Sequence, residues 1–167
     1  MLALYGQVTA NGLMLGALYA CMAVGFSLVW GVLNVVNMLH GAFIVLGGML
    51  AFFAWQAWQV PPFIAIVPVA LILFLAGFLV QLGIINRVVA QPVLTTLTLT
   101  FGLELILYNV MTVAFTATPR RVTMDLGRVD LAGVVLPLDR VAAMALALAL
   151  TGLPFLANVA LALVLFE

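Results

Sequence analysis

No Asp, Glu, Lys or Arg precedes Arg87. An uncharged run of that length cannot present a soluble surface, because water-facing helices and strands carry charged outer faces. The rest of the chain agrees, with 68 % hydrophobic residues, 6 % charged residues and a mean hydropathy of +1.39. Soluble domains are about half apolar and about a quarter charged, so the chain reads as an integral membrane protein. In hydrocarbon a helix satisfies its own backbone, and the expected fold is all-α: a polytopic transmembrane helix bundle of about five membrane segments.

The same charge census excludes several functions. The positive side chains are Arg87, Arg120, Arg121, Arg128 and Arg140, with no lysine. A nucleic-acid binder needs a basic face, which this set does not make. Without lysine there is no Walker A loop and no Schiff-base or lysine-base chemistry. One cysteine, Cys21, and one histidine, His40, make no Cys/His metal cluster within the chain, so neither metal nor cofactor is expected. Met1–Thr9 lacks the positive region of a cleavable signal, and the N-terminus is read as retained.

The first span is expected over about Val8–Trp30, roughly 35 Å of helix against a hydrocarbon core of about 30 Å. Gly12, Gly16, Ala20, Ala23, Ser27 and Gly31 recur along it at spacings of three or four. They define a face that lets another helix approach closely. A second span runs from Ala42 to about Trp58, with Gly47 and Gly48 as its own small-residue face and Trp55 and Trp58 at its interfacial end. Pro61-Pro62 forces a turn. The third span, Phe63 to about Ile85, contains Pro68 and predicts either a kink or a later helix start. The fourth, Val93 to about Phe115, is the most polar, and the last, Val141–Phe166, is interrupted by Gly152 and Pro154 and reads either as one kinked helix or as a helix followed by a shorter piece.

Between the first two spans lies Gly31–Gly41, which sets Asn34, Asn37 and His40 between glycines. Polar side chains and helix-weakening glycines amid hydrocarbon need a partner, a cavity or water, and the segment reads as a broken, discontinuous element over 31–41. Taken singly, His40 also suits an interfacial helix end, and the asparagines an interhelical hydrogen-bond pair. In the fourth span Glu104 is the costly residue, because an ionised carboxylate there costs at least a few kcal/mol on insertion scales. It reads as facing the bundle interior, either protonated or satisfied by a donor such as Tyr108 at i+4, or as part of a substrate path. Its threonines can bond back to the preceding turn. Residues 116–137 form the one substantial hydrophilic segment, where Arg120, Arg121 and Arg128 alternate with Asp125 and Asp130 and residues 131–136 suggest a short strand or a hairpin arm.

Asn11-Gly-Leu-Met-Leu-Gly-Ala-Leu-Tyr-Ala, then Gly25-Phe-Ser-Leu, then Gly31-Val-Leu-Asn-Val-Val-Asn-Met-Leu-His-Gly41 resemble the start of branched-chain amino acid ABC importer permeases, most closely the smaller permease type. Weaker similarity continues through Asn86-Arg87 and Pro92, Gly102, Asn109 and Asp139-Arg140, covering roughly residues 8–150. The resemblance implies a bacterial inner-membrane path formed with a second permease subunit. ATP-binding cassette ATPase subunits drive it and a periplasmic amino-acid-binding protein delivers substrate. Carried over by position, Asn34, Asn37, His40 and Gly41 fall in the family's discontinuous-helix signature and Asn109 in a later polar position. Glu104 departs from the family's small or apolar residue. A family member continues past Leu153 into a basic stretch and a coupling segment that docks on the ATPase. The expectation is therefore one permease-like domain over 1–167, equivalent to an N-terminal portion.

Counting arginines places the 116–140 loop inside, by the positive-inside rule. The family arrangement instead puts Asn86-Arg87 inside and 116–137 outside, and it is preferred because three aspartates dilute the loop's charge. The alternative to transport is a truncated, non-transporting membrane protein that packs as an assembly partner or remnant. An intramembrane enzyme built on Glu104, His40 and Tyr108 lacks a nucleophile or metal motif.

Overall fold

The structure, a computed structural model, describes residues 1–116, 118–122, 124, 126–131 and 133–165, with backbone alone for 2, 33 and 154–165. Asp125, read above as part of the charged loop, lies outside the described residues. Apart from connecting loops and one small hairpin the described residues are helical, and they comprise α1 (Leu2–Leu33), α2 (Leu39–Trp58), α3 (Pro62–Val80), α4 (Asn86–Val88), α5 (Val93–Phe115), β1 (Arg128–Leu131), β2 (Val134–Pro137) and α6 (Leu138–Leu165). Among the described residues four helical stretches are long and apolar enough to cross a membrane: Ala3–Val32, Leu39–Trp58, Pro62–Val88 and Val93–Phe115.

Two compact units emerge, Leu28–Thr123 and the pair of segments Met1–Ser27 and Met124–Glu167. In the first, α1 ends at Leu33, residues 34–37 leave the helical path, and α2 starts at Leu39. The interruption falls within the expected 31–41 segment. Asn34 takes φ +52 and donates its N–H to Trp30 O at 2.9 Å, closing α1 in the left-handed conformation that asparagine tolerates better than most residues. Pro62 opens α3 at a position that needs no amide donor, and the helix continues through Pro68. A π-helical turn at Gln81–Ile85 then leads into α4.

Helix α2 packs against α3 and α5. Gly47 explains the first contact, since a Cβ there would lie 3.0 Å from Leu73 Cδ1 on α3. Toward α5, buried Leu39 and Ala42 join Met111, with Phe43, Leu46, Leu103, Leu107 and Phe115 packed around them. Met38 meets Thr100, the Gly41 side meets Glu104, and Phe53 meets Phe115 at 4.9 Å between ring centroids. The nearly constant offset means that α2 and α5 run parallel. At their C-terminal end Arg120 lies over Phe53 (5.1 Å) and Phe52 (5.3 Å) and donates to Phe115 O at 2.8 Å. One guanidinium thus caps α5 and rests on two aromatic rings of α2.

In the second unit β1 and β2 pair antiparallel, Leu131 opposite Val134, and Gly133 at φ +85 supplies the left-handed residue that so short a connection requires. Gln7 docks the hairpin on α1. Its Nε2 donates to Val135 O at 3.0 Å and its Oε1 accepts from Val135 N–H at 2.8 Å, so one amide side chain pairs as a strand would. The close approach needs a glycine at position 6, where a Cβ would meet Val134 Cγ2 at 2.8 Å. Helix α6 runs unbroken through Gly152 and Pro154, rather than as two pieces.

Candidate functional site

The break between α1 and α2 is held from the side by α5. Thr100 Oγ1 accepts from Met38 N–H at 3.3 Å and lies 3.0 Å from Val36 O and 3.1 Å from Leu97 O, so its single proton serves one of these two carbonyls. Thr100 and Thr96 are each only 1 % exposed, and they are the buried polar residues of the described chain. Thr100 is seven residues into α5, so the break is recessed about 10 Å from that helix's start. Buried backbone outside a helix needs outside partners, and the Thr100 hydroxyl supplies one to Met38 N–H and a second when its proton goes to Val36 O.

Glu104 stands one turn further along the same face, eleven residues from either end of α5. Its Oε1 is 3.7 Å from where a Cβ on Gly41 would sit, so the glycine leaves the carboxyl beside the first turn of α2. That turn presents the first backbone N–H groups of α2, which have no acceptor within their own helix. Glu104 makes no hydrogen bond among the described residues, and Tyr108, 55 % exposed, does not donate to it. Asn37 Oδ1 is buried without a hydrogen-bond partner, while Asn37 O accepts from His40 N–H at 3.3 Å. His40 is half-buried in the first turn of α2. An orphaned amide oxygen costs about 1–3 kcal/mol unless a donor reaches it, and in a native chain it asks for an explanation.

Asn37, His40, Gly41 and Glu104 are thus gathered about one recessed helix start. Asn34 is exposed and shapes the backbone at the end of α1. Asn109 is exposed and donates Nδ2 to Leu105 O at 2.7 Å within its own helix. Thr100, which clasps the break, did not stand out in the sequence from the other threonines of α5. The i, i+4, i+8 spacing of Thr96, Thr100 and Glu104 is the signal that would have set it apart. The glycines read as packing positions divide as well. Gly47 meets α3, whereas Gly12, Gly16, Ala20, Ala23, Ser27, Gly31 and Gly48 are all exposed.

Chemically the interval brings together the carbonyl end of α1, the N–H end of α2, an unpaired amide oxygen and a carboxyl group. Opposed helix ends and neutral polar groups can meet both charges of a zwitterion. A separate cavity of about 330 Å³ between α2 and α3, lined by residues such as Leu50, Phe53, Ala65 and Ile72, is apolar and has nothing to fix a charged group.

The four helices long and apolar enough to cross a membrane define a multi-pass helical membrane protein. The high-affinity branched-chain amino acid transport system permease protein BraD of Pseudomonas aeruginosa is 38 % identical to it over 50 residues. Those residues are 30 % of this chain and 16 % of that protein, so the match spans about a sixth of the relative's length. No family model matches the chain, and no solved structure matches it.

Proposed function

We propose that the chain is a permease subunit of an ABC importer for branched-chain amino acids and forms part of the translocation path. The observation that carries this reading is the recessed break, with Asn37 Oδ1 buried and unpaired ahead of α2 and the Glu104 carboxyl beside Gly41 in its first turn. Both are acceptors, and the ammonium group of an amino acid is a donor matched to them. The partial likeness to a branched-chain amino acid permease supports the substrate class. In this reading the chain sits in a bacterial inner membrane beside a second permease subunit, ATPase subunits hydrolyse the ATP, and a periplasmic binding protein delivers substrate. The chain itself is not an enzyme.

The test is leucine uptake by the assembled importer carrying Asn37→Leu together with His40→Leu. Uptake is expected to be abolished while the subunits still co-purify; normal uptake by the double variant would refute the path. A second reading, a non-transporting assembly partner or remnant, draws on the exposed small-residue face of α1. It expects membrane association without capture of an ATP-binding subunit, so pull-down of the chain with and without that subunit separates the two.

A further inference from the structure

A second candidate site lies between α1 and α6, within the unit formed by residues 1–27 and 124–167. The Gln7–Val135 clamp joins α1 to β2, and beyond it Asn11, Met14, Leu15 and Leu18 of α1 and Arg140 and Ala143 of α6 line a cavity of about 340 Å³. Its wall is otherwise apolar, with Met14 buried and Leu15 open to the surroundings. Arg140 is in the first turn of α6, just after the hairpin, and no further charge follows it until Glu167. It therefore marks the level where aqueous loop gives way to hydrocarbon-length helix. The guanidinium is exposed and makes no hydrogen bond or ion pair among the described residues, its neighbour Asp139 included, and the Asn11 amide is likewise unengaged. The N-terminal end of α6, whose first turn holds Arg140, adds positive potential there.

We infer that this crevice binds the phosphate of an anionic phospholipid. Arg140 donates to the phosphate as a fork, Asn11 adds a neutral donor, and the first acyl carbons lie along Met14, Leu15 and Leu18. The volume holds a headgroup and not a whole lipid, and the tails pass out of the open side into the bilayer. A zwitterionic choline lipid fits less well, because its ammonium group would face the guanidinium. This inference is independent of the transport reading.

The experiment is native mass spectrometry of the full chain from mixed micelles of phosphatidylglycerol and phosphatidylcholine. Wild type is expected to retain one phosphatidylglycerol in preference to phosphatidylcholine. Arg140→Gln weakens that retention at least about tenfold, and Asn11→Leu weakens it less. Arg128→Gln makes the same charge change on the hairpin and leaves retention unchanged. Equal retention of the two lipids by wild type overturns the proposal even if no variant folds. So does undiminished retention by a folded Arg140→Gln chain. Displacement of the lipid by inorganic phosphate also overturns it, since that assigns the site to a free anion.

Discussion

Thr100 shows what a single side chain contributes to this fold. Its hydroxyl accepts from Met38 N–H at the interruption, and its proton goes either to Val36 O there or to Leu97 O in its own helix. Thr100→Val keeps the shape and removes both bonds, leaving buried backbone groups unsatisfied at about 1–3 kcal/mol. Thermal unfolding in detergent should show that loss, with Thr100→Ser close to wild type. Equal melting of Val and Ser variants would mean that the break is held elsewhere. Asn34 teaches the opposite lesson. The sequence marks it as a polar residue in an apolar setting, and the path reading follows from that. The structure adds a backbone reason, φ +52, that applies whatever the side chain meets. Asn34→Gly should therefore be tolerated, whereas Asn34→Val should destabilise by about 1–2 kcal/mol in the same melts. Polarity was legible in the sequence; a dihedral angle was not.

At the scale of elements, the spans were legible because hydrocarbon imposes length and apolarity on every helix. The fourth span, read as Val93 to about Phe115, has those ends as a helix. The first and last are longer than read, since their outer turns are not constrained by apolarity. The parallel register of α2 and α5 was not legible, because it depends on which side chains meet between helices. The π-helical turn at Gln81–Ile85 has no composition signal either. Two contacts test how the elements are fastened. Gly47→Val should push against Leu73 and cost about 1–3 kcal/mol, whereas Gly47→Ala meets only a flexible methyl and should cost less. Arg120→Ala removes a helix cap and two ring contacts at once, and unfolding should register about 1 kcal/mol, with Arg120→Lys recovering only part of it. A loss from Gly47→Ala as large as that from Gly47→Val would show that α2 and α3 are held too rigidly to yield.

For the molecule as a whole, the unresolved relation is between the face that is packed and the face that is left. On α1, Met14 and Ala17 are buried, whereas Gly12, Gly16, Ala20, Ala23, Ser27 and Gly31 are all exposed. A Cβ added at Gly12, Gly16 or Gly31 meets nothing within 4 Å. Small residues hold no hydrophobic surface that a lipid would not cover equally well; their use in a bilayer is to let a second backbone approach. If the chain is a permease subunit, this face is where a second membrane subunit packs. Gly16→Leu with Ala20→Leu should then leave the chain's own unfolding within about 0.5 kcal/mol of wild type, because nothing within the chain is displaced. Co-purification with the second subunit should fall about tenfold, equivalent to roughly 1.4 kcal/mol of lost packing. The same leucines on the buried side, at Ala17, should unfold the chain before association can be measured. Unchanged assembly with the exposed-face variant would leave the small-residue face without a partner, and the transport reading would need another interface.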